Sequence, residues 1–160
     1  MQHIEQEFFI DSKFGKLLIG IKQNKIARIS FNQPQNSLKG NKPKVVTSIE
    51  NQLLEYFNGH RKDFQFEYYL NGTDFQKEVW EKLMEIPYGK TISYGKLAAQ
   101  LGDVKKIRAV ANAVGKNPIP ILIPCHRVVG VKGALTGYVG GLAIKRQLIE
   151  IESNRQLGLF

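Results

Sequence analysis

One cysteine, Cys125, stands in 160 residues. A single thiol excludes an intrachain disulfide and a thiolate metal cluster. It suits a reducing compartment, where a reactive thiol survives. The residues after Met1 show no basic segment leading into an apolar one, which argues against a secretory signal. No apolar run approaches the roughly 20 residues that span a membrane. A soluble, cytoplasmic protein is the expectation. Internal repeats and low-complexity tracts are also missing. Acidic residues are scarce in one region. From Pro87 to Arg146 there are ten Lys/Arg and one acid, Asp103, in a chain of net charge +9. That imbalance favours a polyanionic partner, nucleic acid first. The 42% hydrophobic content is adequate for a core and argues against disorder.

The N-terminal part reads as strands. Residues 4–10, 16–21 and 26–31 are apolar-rich and separated by turn residues, a hairpin or meander pattern. Residues 32–44 hold Pro, Asn, Gly and Lys, as a surface loop would. Ile49, Leu53, Tyr56 and Phe57 recur at helical spacing, with Gly59 as the stop. Phe64, Phe66, Tyr68 and Leu70 alternate as in a half-buried strand. A small antiparallel sheet with a helix on it accounts for this region, and no chemistry is visible in it.

Asn71-Gly72 marks a break, giving an N-terminal structural domain at 1–72 and a second domain at 73–160. Thr73 can cap a helix with Gln76 at the capping-box position. Phe75, Val79, Trp80 and Leu83 form its apolar face. Ser93 caps a short helix from Tyr94 to Leu101, and Gly102 suits the turn after it. Asp103 caps a second helix, with Val104, Ile107, Ala111 and Val114 expected inward. Helix, tight glycine turn, helix is the order of a helix-turn-helix. Lys105, Lys106 and Arg108 lie in the first turns of the second helix, where recognition helices carry contact residues. A glycine-rich segment around Tyr138 and Val139 precedes a last helix, from Leu142 to about Ser153. Ile144, Leu148 and Ile149 are expected inward there.

Between these helices lies Asn117-Pro118-Ile119-Pro120-Ile121-Leu122-Ile123-Pro124-Cys125-His126-Arg127-Val128-Val129-Gly130. Pro118 and Pro120 predict a stiff, extended loop. It sets a thiol beside an imidazole and a guanidinium, and nearby positive charge favours the reactive thiolate. Lowering a free thiol's pKa by about two units requires roughly 2.7 kcal/mol. Adjacent residues of an extended segment point to opposite sides. Cys125 and His126 therefore touch only if the chain turns, or communicate through a water. The imidazole needs an orienting acid, which the last helix could supply from Glu152 or Glu150. Residue chemistry stops at an activated cysteine beside a basic helical pair, and a Cys–His hydrolase remains open.

The string Pro124-Cys125-His126-Arg127-Val128 resembles the active-site signature of the O6-alkylguanine-DNA alkyltransferases, which repair DNA by consuming their own cysteine. Ile92-Ser93-Tyr94, Leu97-Ala98, Arg108-Ala109-Val110, Asn117-Pro118 and Gly140-Gly141-Leu142-Ala143 fall at that family's spacings. The likeness covers residues 75–152 well and the N-terminal part loosely.

The resemblance implies an α+β fold. An RNase H-like antiparallel sheet with a helix comes first, then a mostly helical winged helix-turn-helix domain carrying the active-site loop. It implies irreversible transfer of the alkyl group from O6-methylguanine, and from O4-methylthymine, to Cys125. His126 would accept the thiol proton through a water, with Glu152 orienting the imidazole and Asn117 as a hinge. Arg108 would enter the base stack. Tyr94 would help rotate the phosphate and bond the flipped guanine. Lys105, Lys106, Ser93 and Ala109 would contact DNA through the minor groove, whose degenerate code suits sequence-independent binding. Pro120, Val128, Tyr138 and Val139 would join Tyr94 around the base, and Val139 stands where serine or glycine is common. The partner would be double-stranded DNA containing O6-alkylguanine, bound by a monomer with no cofactor. Some members hold a zinc in the N-terminal domain. Here only His3 and His60 are available, so no metal is expected. The competing reading is an alkylated-DNA sensor that flips bases without repairing them, but such proteins lack the cysteine.

Overall fold

A computed structural model describes residues 4–31 and 40–153. The chain divides into two compact units between Asn71 and Gly72. Residues 32–39 of the expected loop, and His3, lie outside the described residues.

In the first unit β1 (Gln6–Ser12), β2 (Gly15–Lys22) and β3 (Lys25–Ser30) form an antiparallel meander in that order. Gln23 and Asn24 join β2 to β3 with φ of 51° and 57°. Two successive left-handed residues make the turn whose twist matches a hairpin. Leu17, Leu18, Ile19 and Ile21 of β2 are all buried. Helix α1 (Lys44–Phe57) buries Val46, Ile49, Leu53, Tyr56 and Phe57.

The strand expected at residues 64–70 is not one. It makes a single bridge, Ile26 to Tyr68. The backbone before it is held by a side chain instead. Gln52 of α1 accepts from Gln65 N at 2.8 Å and donates to Gln65 O at 2.8 Å. With both groups of Gln65 bonded to a helix, no ladder extends through it.

The second unit opens with α2 (Asp74–Met84), capped by the reciprocal Thr73–Gln76 box. Val79, Trp80 and Leu83 are buried, while Phe75 is half-buried. Trp80 Nε1 donates to Ala113 O at 2.8 Å, tying α2 to the helix that carries Arg108. Ser93 caps α3 (Tyr94–Gln100) by accepting from Lys96 N, and Gly102 follows with φ of +100°. Asp103 then caps a single 3-10 turn, Val104–Lys106, before α4 (Ile107–Gly115) begins. Strand β4 (Ile92–Ser93) pairs in parallel with β5 (Val128–Val129). Helix α5 (Leu142–Ser153) ends the described chain.

Two expected faces are rotated. In α4 the inward residues are Val110, Ala113 and Val114. Val104 is 58% exposed and Ile107 40%. The 3-10 turn advances three residues per turn rather than 3.6, so a stripe counted at α spacing runs out of phase across it. In α5 the buried residues are Lys145, Leu148, Ile151 and Glu152, with Ile144 and Ile149 only half-buried.

The proline segment is not extended. Ile123 N donates to Ile119 O at 2.9 Å, Pro120 bridges Ile123, and Ile121 takes φ of 76°. A β-branched residue in the left-handed region is strained. Asn117 stabilises the fold-back by accepting from Ile119 N at 3.0 Å and donating to Ile123 O at 2.8 Å.

Candidate active site

Two linked turns place the thiol. Pro124 has φ −81° and ψ 63°, and Cys125 N donates to Ile123 O at 2.8 Å. That is an inverse γ-turn. A 3-10 turn, Cys125–Arg127, follows at once and runs into β5. The chain therefore turns at the cysteine, as it must if neighbouring side chains are to serve one site.

Cys125 opens on a cavity of about 570 Å³. Tyr94 of α3, Ile107, Arg108, Ala111 and Val114 of α4, and Asn117 line one part of it. Thr136, Gly137, Tyr138 and Val139 line another. Pro120 and Val128 do not reach the wall. Pro120 is buried in the fold-back, and Val128 pairs with Ile92. Ser93 uses its hydroxyl as a helix cap. Lys105, Lys106, Arg108 and Ala109 are exposed on the helical pair.

Behind the thiol lies a buried ionic cluster. Glu152 Oε1 meets His126 Nε2 at 2.7 Å. Arg127 grips the same carboxylate at both oxygens, each at 2.9 Å, and donates to Ile86 O at 2.6 Å. Gly89 N adds a bond to Glu152 Oε2 at 3.3 Å. A side chain at Gly89, where φ is +77°, would meet the Glu152 carbonyl oxygen at 3.1 Å.

The electrostatics follow. Burial pushes the Glu152 carboxyl up, but the hydrogen bonds and charges of His126 and Arg127 outweigh it and hold the group at about 2. An ionised carboxylate only accepts, so His126 Nε2 carries the proton and donates it. Burial keeps the imidazole below its ordinary value against the pull of Glu152. His126 is thus neutral, and Nδ1 is its basic nitrogen. Burial drives the Cys125 thiol up to about 11, with Asn117 and the Lys145 charge pulling the other way. This corrects the expectation that flanking cations create a thiolate. The Arg127 guanidinium is committed to Glu152 and leaves the thiol protonated.

Two residues of this assembly carried no role in the sequence reading. Arg127 was visible only as a neighbour of the thiol. Lys145 was visible as a lysine spaced three before Leu148 in an amphipathic helix, where an apolar residue fits the stripe.

Residues 74–154 match the 6-O-methylguanine DNA methyltransferase, DNA binding domain family. A methylated-DNA–protein-cysteine methyltransferase of Mycobacterium bovis is 50% identical over 113 residues, 71% of this chain and 68% of that one. The same-named protein of Methanosarcina mazei is 42% identical over 144 residues, covering 90% and 87%. A crystal structure of Mycobacterium tuberculosis OGT in complex with DNA superposes with TM-score 0.83 at 40% identity, over 94% of each chain. The fold, the matched domain and relatives aligned over more than two thirds of their length agree: the chain belongs to the methylated-DNA–protein-cysteine methyltransferase family.

Proposed function

We propose that the chain repairs DNA by moving the alkyl group from O6 of guanine onto the sulfur of Cys125, once per molecule. The observation that supports this best is the pairing of a protonated thiol on a cavity wall with a neutral imidazole fixed from behind by Glu152. With the thiol at about 11, roughly one molecule in ten thousand holds a thiolate at pH 7. The base therefore has to act during the reaction. His126 Nδ1 takes the proton, directly or through a water, as sulfur attacks the alkyl carbon. The S–C bond forms and the C–O6 bond breaks, its electron pair passing to the guanine. A proton returns to the guanine, and the cysteine is left as a thioether.

The reacting atom is unreachable inside a stacked duplex, so the nucleotide must turn out into the cavity. Arg108 lies on the cavity rim and on the exposed face of α4, the position from which a side chain can fill the vacated stack. Tyr94 now donates to Thr136 O at 3.3 Å and can exchange that bond for one to the base. Lys105 and Lys106 hold the phosphate backbone, which supplies most of the affinity. The protein works as a monomer in the cytoplasm on O6-alkylguanine and O4-methylthymine. No described helix is long and apolar enough to cross a membrane.

Intact-protein mass after incubation with O6-methylguanine duplex decides the matter. A stoichiometric gain of one methylene unit mapped to Cys125 is expected. Tight binding with unchanged mass would instead establish a base-flipping sensor.

A further inference from the structure

Lys145 is a buried cation that the reaction above does not use. It has no exposed surface, and among the described residues it pairs with no carboxylate. Its Nζ donates to Thr136 O at 3.0 Å and Gly137 O at 3.3 Å. It stands 5.9 Å from the centroid of the Tyr94 ring, whose hydroxyl bonds the same Thr136 oxygen. Thr136, Gly137 and Tyr94 all line the cavity on which Cys125 opens. Lys145 is thus fastened to the back of the reaction chamber.

A buried ammonium without an anion is expensive, and two carbonyls offset only part of that. An apolar residue would fill the α5 stripe with no such penalty, so the charge itself calls for a use. The neighbouring groups show where it acts. Glu152, two turns further along α5, is already neutralised by Arg127. The charge disfavours protonation of His126, which keeps that base available. Tyr94 turns its ring toward the ammonium and shares the Thr136 oxygen with it, and burial holds the tyrosine proton above its ordinary value. Tyr138, on the same wall, holds its proton well above the ordinary value through burial. The group left to become an anion is Cys125, and the charges of Lys145 and Cys125 act on one another.

Resting on the alkyl-transfer reading, we propose that Lys145 is a positioning residue for that step. It fixes the wall at Thr136 and Gly137 beside Tyr94, and it is the counter-charge that meets Cys125 sulfur as the thiol gives up its proton. Burial holds Lys145 below the ordinary lysine value, so its contribution switches off at high pH.

The test is the rate of Cys125 alkylation by iodoacetamide from pH 6.5 to 10.5 in the full chain, K145Q and K145R. Glutamine keeps an amide donor for the wall and loses the charge. At pH 7.5 K145Q should react about tenfold more slowly, corresponding to a thiol about one unit higher. The gap should close as pH rises through the titration of Lys145. K145R should stay within about threefold at pH 7.5 and keep its rate above that titration. A K145Q profile parallel to that of the unaltered chain, whether equal or lower by a constant factor, overturns the proposal. If K145Q does not fold, the ratio of K145R to the unaltered chain decides: it must rise above the lysine titration, and a constant ratio overturns the assignment. Iodoacetamide reads the thiol without DNA. A normal profile in a chain that takes no methyl group from DNA would therefore sink the repair reading and leave the Lys145–Cys125 coupling standing.

Discussion

At the scale of single residues, Cys125, His126 and Glu152 make stability depend on pH from both sides. Glu152 titrates at about 2 in the fold against 4.5 ordinarily. A depressed carboxyl stabilises the fold above its unfolded value, and that stability is lost as pH falls through the native one. His126 acts in the same direction, since its native value lies below 6.5 and protonation favours the unfolded chain. Cys125 acts oppositely. Raised from 9.0 to about 11, it keeps its proton longer when folded, so stability declines as pH climbs through that window. Thermal unfolding should show a plateau between about pH 6.5 and 9 with a fall on either side. Cys125→Ser should move the alkaline onset upward, to where Tyr88, Tyr94 and Tyr138, all raised by burial, take over. An unmoved onset would show that the thiol is not the group responsible. Arg127→Ala would leave a buried carboxylate without its bidentate partner, and denaturant unfolding should register a loss of about 3–5 kcal/mol.

Elements show where sequence pattern sufficed and where it did not. The capping box of α2, the Ser93 and Asp103 caps and the glycine turn between α3 and α4 were all legible, because each depends on a few adjacent residues. The face of α4 was not. Its 3-10 entry shifts the phase and turns Val104 and Ile107 outward, with Arg108 beside them. Arg108→Ala should slow repair in duplex DNA at least tenfold more than it slows reaction with free O6-benzylguanine, since only the duplex requires a base to be displaced. Equal losses on both substrates would argue against Arg108 filling the vacated stack. In the first unit, Gln52→Ala should destabilise by about 1–3 kcal/mol in chemical denaturation, because both backbone groups of Gln65 lose their partner.

For the molecule as a whole, the excess of cations is its most general property. Residues 73–160 carry thirteen Lys/Arg against seven Asp/Glu, and Arg108 among them lines the cavity. DNA affinity measured by fluorescence anisotropy should fall steeply between 50 and 200 mM salt. Replacing Lys105 and Lys106 with Gln should reduce the slope of log affinity against log salt by about one for each phosphate contact removed. A slope unchanged by both substitutions would place these lysines off the phosphate backbone.

Sequence alone determined the candidate groups. A unique cysteine, its histidine and a basic helical pair at fixed spacing are local facts, and family signatures are written in such strings. Which acid orients the imidazole was half legible, since Glu150 and Glu152 both lie on the last helix. The 2.7 Å contact belongs to Glu152. Only the tertiary structure decided the state of those groups. Charge beside a thiol in sequence predicted a thiolate, yet burial raises Cys125 to about 11 and Arg127 spends its charge on Glu152. Prolines predicted an extended loop, yet the Asn117 side chain folds it back. The reason is the same in both cases. Desolvation and ion pairing depend on which distant residues close around a group, and 25 residues separate Arg127 from the carboxylate it holds.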